Sequence, residues 1–135
     1  ELGTELAIFY NRAFAGVENN LLTVILFMSK IYDNFYYETK IDEKTQKRTK
    51  KLGWSTNMKT RDVVIDEFLI LFEEDNIKIR SAITLGEMLT FVRNEKGKRE
   101  HATGKHDDSL FAAFIALKMR HYNRPRARSF ATSPF

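Results

Sequence analysis

The sequence predicts an α/β or α+β fold in which helices flank a mixed sheet. Three observations carry that expectation. Strand, helix and strand alternate within the first forty residues, a second hairpin-like stretch follows at residues 90–102, and a small-residue apolar helix ends the patterned part of the chain. With 135 residues, 43% of them hydrophobic and 11 of them Phe, the chain has the apolar content of one globular domain.

The first element is read from Leu2, Leu6, Phe9 and Ala13, whose spacings of four, three and four place them on one face of an amphipathic helix. The period then changes. "FAGVE", residues 14–18, is a short apolar run containing Gly, as expected of a buried strand, with Glu18 at its carboxyl end. Asn20 is a candidate N-cap for a helix whose apolar face is Leu21, Val24, Ile25, Met28 and Ile31. "NFYYET", residues 34–39, has the aromatic enrichment of a second strand.

From Lys40 to Lys51 the chain carries six basic and two acidic residues, which predicts an exposed loop or hairpin. "GWSTNMKTRDVV" leads into a helix over 62–75 with Ile65, Phe68, Leu69 and Phe72 on one face and six carboxylates elsewhere. A short "IKI" strand, a helix near 84–90 and a hairpin turning at Glu95–Gly97 follow. The last helix is expected to start at Asp107 or Asp108 and run to about Tyr122. Residues 123–135, "NRPRARSFATSPF", show no apolar period and read as a basic flexible tail after a domain spanning 1–122.

Composition limits the chemistry. The absence of cysteine excludes disulfides, thiolate metal ligation and a cysteine nucleophile, and with no His-x-x-x-His pair a zinc site has little support. No apolar run approaches the roughly 18 residues of a membrane span. No phosphate-binding G-x-x-x-x-G-K-[ST] loop occurs, so no ATP hydrolysis is expected of these residues. The formal charge of +4 is compatible with a polyanionic partner.

Three carboxylates are the candidate chemical groups. Glu18 stands at the carboxyl end of a strand, where ligands bind in open α/β sheets. Asp107 and Asp108 open a helix, where free N–H groups and the macrodipole favour an anion by about 0.3–1 kcal/mol. They are therefore either a cap and a first-turn acid, or ligands of a hard cation such as Mg²⁺ that lets converging acids coexist. His106 beside them either orients a carboxylate, moves a proton or sits in the turn. Trp54 is read as core, or as a partner of Lys59 and Arg61 on nucleic acid.

Four ordered pieces resemble the carboxyl-terminal nuclease domain of the large terminase subunit of tailed bacteriophages, an RNase H-like fold. They are "YNRAFAGVENN", "GWSTNMKTR", "GEMLTFVRNEKGKREHATGKHDD" and "SLFAAFIALKM", and together they cover most of residues 1–122. The resemblance implies an RNase H-like mixed sheet and two Mg²⁺ or Mn²⁺ ions held by Glu18 and by Asp107 or Asp108. It implies cleavage of double-stranded DNA during genome packaging, with attack by water in line with the leaving 3′ oxygen. It departs from the family at the start, because the family's first metal-binding Asp and the first strands precede anything matched here. The sequence is thus expected to be an N-terminally truncated piece of a longer chain that also carries an ATPase domain. The implied partners are duplex DNA, the portal protein, the small terminase subunit and that ATPase domain; the implied place is the host cytoplasm, at the procapsid portal.

On that resemblance Lys44, Lys47, Arg48, Lys50 and Lys51 form a phosphate-binding strip without base preference, joined by Lys59 and Arg61. Arg124, Arg126 and Arg128 are further candidates for contact with DNA or the portal. The rival expectations are another RNase H-like nuclease, such as a resolvase or transposase core, and a non-catalytic DNA-binding or docking piece of the packaging motor.

Overall fold

The computed structural model describes residues 2–20 and 22–122. The proposed tail with Arg124, Arg126 and Arg128, and Leu21, read above as part of a helix face, lie outside the described residues. Among the described residues the architecture is mixed α/β, with five helices and two small antiparallel sheets. The order is α1 (Leu2–Phe9), α2 (Leu22–Ser29), β1 (Tyr37–Ile41), β2 (Arg48–Leu52), α3 (Met58–Glu73), α4 (Ala82–Leu89), β3 (Phe91–Arg93), β4 (Arg99–His101) and α5 (Asp108–Met119).

The expected mixed sheet takes a smaller form. β1 pairs with β2 and β3 with β4, each antiparallel, and the extended run at 14–18 joins the first pair only through isolated parallel bridges, Ala15 to Phe35 and Glu18 to Trp54. These bridges nonetheless define a layer, because side chains of a strand point alternately to its two faces. Phe14 packs against the cluster of Tyr36, Trp54, Val64, Ile65, Phe68 and the buried face of α5. Ala15 and Val17 pack against the other cluster, Ala7, Ile25, Met28, Tyr32 and Phe35, contributed by α1, α2 and the chain after α2. Helices therefore cover both faces of the bridged segments.

Local chemistry explains where the later elements begin. Asn57 caps α3 by accepting from Lys59 N and Thr60 N, while the Thr60 hydroxyl accepts from Asn57 N, a reciprocal capping box. Ser81 caps α4 through Thr84 N. The acids of α3 do more than meet solvent. Asp62 and Asp66 grip Arg99 of β4, and Glu67 receives Lys118 of α5 at 3.0 Å. Hydrogen bonding to Asp66 raises the affinity of the Arg99 guanidinium for its proton.

Several expectations are corrected. The face read for α1 is turned: Leu2 and Phe9 are 71% and 78% exposed, and Thr4 and Ala7 are the buried positions. On α2, Ile25 and Met28 are buried as expected, but Val24 and Ile31 are exposed. α2 is apolar nearly all round, so periodicity could not select its inner face, while α1 turns Thr4 inward with Ala7. The "IKI" stretch forms no strand; Ile77 and Ile79 pack against the core from an irregular connection. The strand read at 34–39 begins at Tyr37, and α5 ends at Met119. The turn at Glu95–Gly97 is present, with Gly97 at φ +78° donating to Asn94 O.

Gly53 is fixed by sterics and backbone together. Its φ is +84°, and a Cβ there would meet Val17 O at 2.5 Å. Gly53→Ala is expected to lower stability by about 1–3 kcal/mol, the cost of a strained left-handed residue, as read from the urea midpoint. Tyr36, packed among Phe14, Trp54 and Tyr122, has its phenol pushed up to about 12 by burial and by Tyr122. Its folded-state value lies above the unfolded value, so its contribution is complete below about pH 10 and is lost as pH rises towards 12. Urea midpoints measured from pH 8 to 11.5 should fall over the upper part of that range, and less steeply in Tyr36→Phe.

Candidate functional site: an acid-lined cleft

A cleft of about 650 Å³ lies between the 14–18 segment and α5. Glu18, Asp107 and Asp108 all line it, together with Thr56, Arg61 and Ala112. The fold thus brings the three sequence-predicted acids to one opening. Their environments differ sharply.

Glu18 is positioned from three directions. Its backbone lies beside Trp54 through hydrogen bonds from Asn19 N to Trp54 O and from Trp54 N to Val17 O. Its carboxylate accepts from the Thr56 hydroxyl and from Asn20 Nδ2 at 3.2 Å. Asn20 thus serves the acid, and no cap on α2 is needed to explain it. Next to Glu18, Asn19 Nδ2 donates to Ser55 Oγ at 2.6 Å, and Ser55 donates to Glu38 at 2.7 Å, tying the root of the β1–β2 hairpin to this strand end.

Asp107 is a paired acid. Arg61 Nη2 donates to its Oδ2 at 3.1 Å, and His101 Nδ1 lies 3.3 Å from its Oδ1. The Arg61 and Asp107 side chains are 21% and 15% exposed, and the guanidinium lies 4.3 Å from the Phe111 ring centroid, so the pair is partly desolvated and stacked. Asp107 occupies the N-cap position of α5 but makes no side-chain capping bond. That role falls to Glu87 of α4, whose Oε2 accepts from Leu110 N at 2.6 Å. Sequence reading missed Glu87, because its partner lies on another helix and no local spacing announces it. Asp108, in the first turn of α5, is exposed and its side chain makes no ion pair or hydrogen bond among the described residues.

The remaining candidates separate by position. Lys44, Lys47, Arg48, Lys50 and Lys51 are all exposed on the β1–β2 hairpin, whose turn is organised by Asp42 accepting from Lys44 N and Thr45 N. Those two bonds, chiefly to Thr45, lower the proton affinity of Asp42. Arg48 and Lys50 share one face of β2, while Lys51 points to the other beside Glu38. Lys59 is exposed in the first turn of α3, whereas Arg61 is engaged by Asp107 and by Arg99 O. Trp54 is 5% exposed and belongs to the core. His106 is exposed in the turn and does not line the cleft.

Carboxylate oxygens are the donors that Mg²⁺ and Mn²⁺ prefer, and such ions are commonly held by one or two carboxylates with water and phosphate oxygens completing the shell. Glu18 and Asp108 fit that pattern. Among the described residues no three acids or histidines lie close enough together to hold an ion by themselves. No helix among the described residues is long and apolar enough to cross a membrane. No protein-family model, curated protein or solved structure matches the chain.

The Arg61–Asp107 pair should behave as structure. Arg61→Ala leaves a partly buried carboxylate without its cation and is expected to cost about 1–3 kcal/mol, with Lys59→Ala within about 0.5 kcal/mol of the parent. A double-mutant cycle of Arg61→Ala with Asp107→Asn, followed by urea unfolding, should give a coupling of about 0.5–2 kcal/mol. Additive effects would mean that the pair contributes nothing beyond its members.

Proposed function

We propose that the chain is a metal-dependent nuclease domain acting on double-stranded DNA, of the RNase H-like kind found in the large terminase subunits that cut packaged viral genomes. The observation that carries this reading is the meeting of Glu18 and Asp108 at one cleft from distant parts of the sequence, with Asp107 occupied by Arg61. Glu18 and Asp108 are the acids proposed to hold Mg²⁺ or Mn²⁺. Two ions, as in the terminase pattern, would need the further Asp which that pattern places on an earlier strand. When bound, divalent ions supply Lewis-acid stabilisation of charge on the phosphoryl group.

The chain's own residues have defined parts in this proposal. Thr56 and Asn20 orient the Glu18 carboxylate, leaving its remaining lone pairs to the cleft. Arg61, anchored by Asp107 over Phe111, offers its unused N–H groups towards a phosphate oxygen. The hairpin lysines and Arg48 neutralise phosphates along the duplex without reading bases, as suits an enzyme that must cut whatever sequence arrives. The portal protein, the small terminase subunit and an ATPase domain are the proposed partners, and the site of packaging the proposed location.

Incubation of plasmid DNA with the chain and 5 mM Mn²⁺, in roughly the usual excess over a hydrated carboxylate site, is the direct test. Cutting that falls about 100-fold or more in Glu18→Ala and Asp108→Ala, with DNA binding retained, is the expected result. Calorimetric titration of Mn²⁺ gives a second readout: the heat of binding should vanish in the same two variants and persist in Lys50→Ala. Mn²⁺ binding indifferent to both acids would overturn the assignment. Preference for branched over linear duplexes would favour a resolvase instead.

A further inference from the structure

The β3–β4 hairpin carries a charge conflict that the fold relieves on one side only. Arg93 stands directly opposite Arg99 in the antiparallel register, so two cations share one face of the hairpin, an arrangement that is destabilising unless each finds an anion. Arg99 finds two, Asp62 at 3.0 Å and Asp66, both on α3. Arg93 has no carboxylate partner among the described residues. Its Nη1 donates to Gly97 O at 3.1 Å across the hairpin turn, which steadies the guanidinium and leaves its other N–H groups without an acceptor among the described residues.

Both arginines line a pocket of about 240 Å³ between α3, α4, the β3–β4 hairpin and α5. Phe68 and Phe114 are its buried lining, half-buried Phe91 and Met88 stand beside them, and Leu69 and Val92, 41% and 44% exposed, reach its mouth. The rings of Phe68 and Phe91 meet that of Phe114 edge-on, at 4.8 and 5.9 Å between centroids, so three aromatic side chains surround one space at steep angles. An apolar cavity of about 150 Å³ is enough for a benzene ring, and drug-sized ligands take about 300 Å³ or more. A volume between these suits one ring with a short substituent.

We propose that this pocket binds a small aromatic carboxylate, its ring among Phe68, Phe91 and Phe114 and its carboxylate on Arg93. The proposal goes beyond the nuclease reading and does not depend on it, since the pocket and the acid-lined cleft share no lining residue. Each part of the ligand answers a feature of the pocket. Edge-to-face contact with three rings favours a planar aromatic group over a saturated chain. The guanidinium presents paired N–H groups that match the two oxygens of a carboxylate. Such an anion gives Arg93 the counter-charge that Asp62 and Asp66 give Arg99, and the conflict across the hairpin is then relieved on both sides. A hydrophilic anion alone would leave the rings uncovered, and a neutral ring would leave Arg93 unanswered.

The test titrates the whole chain, ¹³C-labelled at its methyl groups, with cinnamate in metal-free buffer without DNA. The Met88, Leu69 and Val92 methyl resonances should shift under the ring current and show nuclear Overhauser contacts with the cinnamate ring. Cinnamyl alcohol, nearly the same skeleton without the charge, should bind about tenfold more weakly, as expected when a charge-assisted hydrogen bond is lost. Acetate, which has the charge and no ring, should leave those methyls unmoved. Arg93→Glu should abolish cinnamate binding while keeping the affinity for cinnamyl alcohol within about twofold of the parent. Should that variant unfold, the comparison of the three ligands on the parent chain still decides. Equal affinity for cinnamate and its alcohol would overturn the proposal, as would the absence of a saturable shift at millimolar cinnamate. Shifts confined to α1 and α2, where Phe9, Leu22 and Phe27 are exposed, would overturn it equally. None of these readouts involves metal or DNA, so a failure here leaves the nuclease reading untouched, and the reverse.

Discussion

The burial of α5 is the constraint on which the cleft depends. Leu110, Phe111, Phe114, Ile115 and Met119 are buried on this one helix, and the stripe they form is wide enough to meet α3, α4 and the 14–18 segment together. Phe114 alone makes edge-on ring contacts with Phe68, Phe91 and Phe111, at centroid separations of 4.8–5.9 Å. Once these rings interlock, the axis of α5 has little freedom. Its amino-terminal end, with Asp107 and Asp108, is thereby set across from Glu18, and its small residues are left facing the cleft.

Electrostatics then divides the acids into two groups. A helix N-terminus presents unbonded N–H groups and a partial positive charge, a demand that a carboxylate accepting from the first turn answers in part. Glu87 meets it from α4, which fastens α4 to α5 and releases Asp107 for Arg61. Asp107 in turn holds Arg61 against Phe111 and Arg99 O, so that α3, β4 and α5 are joined at one carboxylate. The conspicuous "HDD" therefore contains one structural acid and one exposed acid. Asp108 and Glu18 are the two cleft acids without a cation partner among the described residues.

How much of this the sequence could disclose depended on the range of the interaction. The turn at Gly97 and the basic hairpin were legible because Gly97 and Asp42 act within four residues of themselves. Asn57 and Ser81 act over the same range, yet the helices they cap were read from 62 and from near 84, whereas they begin at Met58 and Ala82. From the residues alone, the convergence of Glu18 with Asp107 and Asp108 was one of two open readings, and the resemblance favoured it, since nothing local in either stretch points to the other. The inner faces of α1 and α2 were illegible for a different reason: "LTVILFMS" offers apolar side chains in every direction, and tertiary packing alone chose Ile25 and Met28. The "IKI" stretch shows the converse limit. β-branched residues favour a strand, yet a strand also needs a neighbour to pair with, and Ile77 and Ile79 found a core contact instead.

The two charged regions have to be considered together. In the proposed reading a polyanion must approach two uncompensated carboxylates, and at physiological ionic strength their repulsion extends over a screening length of about 8 Å. The β1–β2 hairpin carries six basic residues, and the Asn19–Ser55–Glu38 link fixes its root to the strand end bearing Glu18. None of these side chains forms an ion pair with Glu18 or Asp108 among the described residues, so in that reading they attract phosphates without neutralising the two acids. In the proposed reading, a hairpin anchored in this way brings a duplex to the cleft mouth while leaving Glu18 and Asp108 negative enough to recruit a divalent ion. Moving the same charges into the cleft would favour ion pairs like that of Arg61 with Asp107, and the acids would be satisfied without any ligand at all.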